Sequence, residues 1–140
     1  VTTWVRHEKA LRTALAMVRQ EKQKSGARKA VSGVLEKSED SMIQEIMNNT
    51  RLPNFGVGYM FDWADSIRDI MNQNHPQEAE LALDRIRWGF LDSWTANRHF
   101  IGDVVLAYAL KLLICEKWQR LDLEKGEQII QTILGGNSGE

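Results

Sequence analysis

Cysteine occurs once in this 140-residue chain, proline twice, and no Asn-Gly or Asp-Gly turn separates alternating apolar runs. A lone Cys115 excludes an intrachain disulfide, and its place inside an apolar run fits a packed thiol in a reducing compartment. The lack of hairpin turns and period-2 strands disfavours every sheet class, so an all-α fold is expected. No segment is long and apolar enough to span a bilayer: the longest falls about ten residues short of the requirement. No secretory pattern opens the chain, since Val1-Thr2-Thr3-Trp4 leads straight into charged residues. The expected place is the cytoplasm.

What is present is an ordinary globular composition, 43% hydrophobic and 26% charged. The length is one domain's worth, enough to bury roughly two thirds of the unfolded surface. A single helical domain over 1–140 is expected. The net charge of −1 hides an asymmetry: residues 1–37 hold nine Lys/Arg against three Glu, or +6, which leaves −7 for the remainder. Solvated helix faces account for most such patterns, and docking of a basic arm on an acidic partner is the functional reading. Lysines without interleaved aromatics give no readout of nucleic acid.

Periodicity predicts about six helices in a compact bundle. Trp4, Leu11, Ala14, Leu15 and Val18 form one stripe of a helix over residues 3–24. Ser25-Gly26 interrupts it, and residues 25–38 are small and charged, the composition of a flexible linker. Ser38 or Asp40 is placed to cap a second helix ending near Asn48. Asn48 to Gly58 reads as a loop. A third helix, 59–73, sets Met60, Trp63, Ala64, Ile67, Ile70 and Met71 opposite Asp62, Asp65 and Asp69. Pro76 starts a fourth, 76–97, with Ala79, Leu83, Ile86, Phe90 and Trp94 on its main face and Leu81 and Trp88 off it. The twelve positions Val104 to Cys115 hold one polar residue, the pattern of a central helix buried on all sides, predicted over 102–121. A sixth helix is expected over 123–134, then a frayed tail.

Catalytic sets are hard to assemble. His7, His75 and His99 are far apart in sequence, and His99 with Asp103 would give two metal ligands where a site needs more. Asp62, Asp65 and Asp69 lie opposite an apolar stripe, where water screens them; they suit a docking face better than acid–base work. Phe55-Gly-Val-Gly-Tyr59 lacks the remaining elements of a phosphate-binding loop, so its glycines are read as a tight turn. The expectation is a non-enzyme without metal or cofactor. Of five tryptophans, Trp4, Trp63 and Trp94 are expected in the core. Trp88 and Trp118, beside Arg85, Arg87, Lys117 and Arg120, are candidates for partner contact, together with Asp62, Asp65 and Asp69.

The pattern Arg87-Trp88-x-Phe-Leu91, then Leu106-Ala-Tyr-Ala-Leu-Lys-Leu112, then Glu116-Lys-Trp118-x-x-Leu121-Asp122-x-Glu-Lys-Gly126-Glu resembles an uncharacterised family encoded in bacterial V-type (A/V-type) ATPase operons. Asn54-Phe-Gly-Val-Gly58 leading into Asp62-Trp63 is also similar to that family. The resemblance implies a C-like, non-catalytic helical component of the ATPase, one that seats the rotor's central stalk on the membrane ring. It would be peripheral on the inner membrane through protein contacts. Members are longer, which makes this chain a C-terminal part in expectation. The alternative is a helical adaptor or regulator unrelated to the ATPase, homodimeric through Trp88.

Overall fold

The computed structural model describes residues 2–23, 40–97 and 101–136, and among these the fold is all-α. Five α-helices follow in order: α1 (Thr2–Lys22), α2 (Ser41–Asn48), α3 (Ile67–Asn72), α4 (Pro76–Thr95) and α5 (Ile101–Gly136), with a 3-10 turn at Asp62–Asp65 before α3. The predicted linker at 25–38 and His99 lie outside the described residues. The chain divides into two compact units, Val1–Gly89 and Phe90–Glu140.

The first unit is built on the α1 stripe. Ala10, Leu11, Ala14, Leu15 and Val18 recur at helical spacing and are all buried, in one cluster with Met42, Ile43 and Ile46 of α2, Ile67 of α3 and Leu83 of α4. Full burial of a side chain such as Leu11 or Ile67 contributes about 1.5–3 kcal/mol. α2 has only eight residues, too few to hold a helix in water unaided. Packing on α1 stabilises it, and Asp40 caps it by accepting the Met42 N–H at 3.1 Å.

Between α2 and the 3-10 turn the chain runs as a pinned loop. Arg68 donates from Nε to the Pro53 carbonyl and from Nη2 to the Leu52 carbonyl, each at 3.3 Å, and also bonds the Thr50 carbonyl and Glu21. Its guanidinium carbon sits 4.5 Å from the centroid of the buried Phe55 ring. Phe55 holds φ 53° and Gly56 φ 72°. The left-handed conformation is strained for a bulky residue, and burial under Arg68 offsets that cost. The predicted third helix is therefore shorter than periodicity implies. Tyr59 and Met60 still belong to the turn, and the helical stretch begins at Asp62.

In the second unit, the end of α4 brings Phe90 and Trp94 together as stacked rings with centroids 6.5 Å apart. Leu91, Trp94 and Ala107 are buried, and Lys111 of α5 pairs with Asp92. The predicted fifth and sixth helices are one continuous helix of 36 residues. Leu121-Asp122-Leu123 contains neither proline nor glycine, so nothing there stops the backbone.

The expectation of a central buried helix is overturned. Val105 is 59% exposed, Tyr108 64%, Leu112 51% and Leu113 60%, while Ala107 is the buried hydrophobic residue of the run. Cys115, expected to be packed away, is exposed too. The reason is geometric. A 36-residue helix is about 54 Å long, whereas the roughly six α4 residues in its unit span about 9 Å. Such a short neighbour covers one small part of one face.

Candidate functional site

Two features stand out once side chains are placed: a polar cluster inside the first unit and an apolar row along α5. The cluster begins on α1, where His7 and Glu8 sit one turn ahead of the core stripe. His7 is buried among the rings of Trp4, Phe61 and Trp63, with centroids 5.9, 5.7 and 6.2 Å away. Its Nε2 accepts the Trp63 indole N–H at 3.1 Å. Burial is the main cause that lowers its pKa from 6.5 to about 4, with the nearby Arg87 charge acting the same way against Glu8. His7 is thus neutral at neutral pH, and its Nε2 lone pair is committed to Trp63. That is the work of a core acceptor.

Glu8 points to α4 instead. Arg87 donates to both of its oxygens, Nε to Oε2 and Nη2 to Oε1, each at 3.2 Å. Arg12 adds a bond at 2.8 Å one turn along α1. Arg87 also donates through Nη1 to buried Asp84 at 2.9 Å. Desolvation pushes the Glu8 pKa up, but the bonds from Arg87 and Arg12 outweigh it, so the carboxyl stays below its ordinary value. For Arg87, burial acts downward and the bonds and charges of Glu8 and Asp84 reverse it, so its pKa is raised. A forked guanidinium between two carboxylates fixes the register of α4 on α1. It is a clamp between helices, with Nε, Nη1 and Nη2 of Arg87 each bonded inside the unit.

Sequence reasoning placed Arg87 with Arg85 and Trp88 as partner-contact residues, and the structure separates them. Arg87 turns inward, while Arg85 and Trp88 are exposed on α4, one turn apart on the same face. Asp62 and Asp65 on the 3-10 turn and Asp69 on α3 are all exposed, as their position opposite the stripe implied. Trp118 belongs to the other unit; it is half-buried, with Lys117 Nζ 5.5 Å from its ring centroid. Trp63 and Trp94 are core as expected, and Trp4 is only half-buried. Among the described residues no group of three or more His, Cys, Asp or Glu is arranged to hold a metal ion. No helix there is long and apolar enough to cross a membrane.

The row on α5 was missed. Val105, Tyr108, Leu112, Leu123, Ile130 and Leu134 are all exposed. At about 100° per residue they fall within about 80° of arc, in two apolar blocks, 105–112 and 123–134, with exposed Glu116 and Gln119 on the same arc between them. Leu112, Leu123 and Leu134 recur at intervals of 11 residues, three turns of helix, and this was the signal that could have revealed it. Dense apolar residues on the other faces of the first half of α5 hid it.

These features define a class: a protein all-α among its described residues, in which one unit is closed by its own packing and the other presents an exposed row of apolar residues along a helix. Over residues 1–137 the chain matches the family described as "Protein of unknown function (DUF2764)", and it belongs to that family. No curated protein and no solved structure is similar enough to match.

Proposed function

We propose that this chain is a non-catalytic, helical structural or accessory component of a bacterial V-type ATPase, C-like in its place, acting by helix-surface contacts between central stalk and membrane ring. The observation that carries the interaction half of this reading is the exposed apolar row of α5. Apolar surface of that extent marks a contact site in folded proteins. The choice of machine rests on the resemblance of the Arg87–Gly126 pattern to proteins encoded with such ATPases. Native complexes purified through an affinity tag on this chain are expected to contain ATPase subunits at low salt. Fewer should remain at high salt if charged faces assist docking. Failure to recover any component of the ATPase at low salt overturns the assignment to that machine.

A second reading is favoured by one observation, the 37% exposure of Trp88 beside exposed Arg85. In that reading the chain is a helical adaptor or regulator independent of the ATPase, and α4 supplies its contact face. Trp88→Ala then abolishes partner capture while the row on α5 stays intact.

A further inference from the structure

The occupant of the α5 row can be argued from its size, its glycine and its charges, taking as given the reading of α5 as a contact surface. The six residues of the row are each more than half exposed, an apolar area on the order of several hundred Å², the scale of the ~800 Å² that each partner contributes to a standard interface. On the same strip lie Gln119 and Gly126, with Cys115 at one edge and exposed Glu116 at the other. Gly126 stands in a helix interior, where glycine costs about 1 kcal/mol relative to alanine. A Cβ built on it meets nothing within 4 Å. The strip therefore has a notch as well as ridges.

We propose that α5 pairs antiparallel with α5 of a second copy, the two-fold axis passing beside Gln119. This register sets each residue opposite the one equally far along on the other side of Gln119. Leu112 then faces the notch at Gly126 of the second copy, Tyr108 faces Ile130, Cys115 faces Leu123, and Val105 lies beside Leu134. Gln119 meets Gln119, where two amides can bond each other and fix the register as a buried polar pair does in coiled coils. One flank carries Glu116 and Arg120, an exposed pair at 3.3 Å. Under the two-fold, Glu116 of one copy lies next to Arg120 of the other, and the reverse, so opposite charges meet across the seam. A parallel pair fits worse. It sets Gly126 on Gly126 and leaves a gap, and it stacks Cys115 on Cys115.

The test is the oligomeric state of the full chain, with site-specific cross-linking for direction. Sedimentation velocity at about 50 μM is expected to show a dimer, and Leu123→Glu, a change at an exposed position, should weaken it about 100-fold or more. Its far-UV circular dichroism should match the wild type. Leu123→Cys should give a covalent dimer on mild oxidation through Cys115 of one copy and the new thiol of the other, while the wild type should not cross-link. A monomeric wild type, or a dimer that Leu123→Glu leaves intact, overturns the pairing. Ready oxidation of wild-type Cys115 to a covalent dimer overturns its direction. Co-purification on the same variants keeps the two readings apart. A monomer recovered with the ATPase refutes the second copy and leaves the proposed function, and a dimer recovered without ATPase subunits does the reverse.

Discussion

Leu11 lies on an apolar stripe of one helix and Leu112 in the apolar run of another, yet the first is fully buried and the second is 51% exposed. In Val1–Gly89 short helices, a 3-10 turn and a pinned loop each offer one apolar face, and those faces close on the α1 stripe. In Phe90–Glu140 one long helix has little described structure of its own unit to pack on. What differs is the supply of partners. Apolar density measures the demand for burial, and burial itself depends on how much complementary surface the chain can bring to that point.

The sharpest way to break the comparison is to truncate both leucines. Leu11→Ala removes a fully buried side chain and should cost about 3 kcal/mol in urea unfolding. If it costs under ~1 kcal/mol, the first unit does not have the core described. Acid should act on the same unit nearly as strongly. The folded pKa of His7, about 4, lies below its ordinary 6.5, so the unfolded chain takes up the proton first as pH falls. The His7 contribution is complete above about pH 6.5 and lost by about pH 4, on the order of 2–3 kcal/mol. Glu8, whose pKa is lowered, adds a further loss below its ordinary value. His7→Gln keeps an acceptor for Trp63 and cannot titrate, so urea titrations between about pH 7 and pH 4 should show a flatter slope for that variant.

Arg87→Ala leaves Glu8 and Asp84 facing one another without their shared cation. It should destabilise the first unit by about 2 kcal/mol or more, and a change within ~0.5 kcal/mol would show that the clamp between α1 and α4 is dispensable. Asp40→Ala removes the α2 cap at a cost of about 1 kcal/mol, visible as earlier loss of amide-exchange protection in α2. The smallest effect belongs to Leu112→Ala. At an exposed helical site the unfolding free energy of the monomer should move by no more than ~0.5 kcal/mol. A loss near that of Leu11→Ala would place α5 in a core and erase the contrast between the units.

Local features were legible. The α1 stripe, the start of α4 at Pro76 and the outward Asp62, Asp65 and Asp69 follow from spacing and side-chain chemistry within a few residues, and the α2 cap is narrowed to Ser38 or Asp40, of which the structure uses Asp40. Arg87 adjoins Trp88, which lies off the main face of its helix, and that makes it a contact candidate; sequence offers no sign that Glu8, 79 residues earlier, lies opposite. The left-handed Phe55 was equally hidden. Its strain is offset by burial in the core and by Arg68 over its ring. For α5, the twelve-residue run was read as burial, although the recurrence of Leu112, Leu123 and Leu134 marks a one-sided strip.

By itself the sequence determined which segments are helical and which way each helix sorts its polar and apolar faces, because hydrogen bonding, capping and periodicity act over single turns. Only the tertiary structure decided which apolar faces are covered and which charges meet. Both depend on surfaces brought together from distant parts of the chain: Glu8 finds Arg87 across two packed helices, while the α5 row extends well beyond the short stretch of α4 in its own unit.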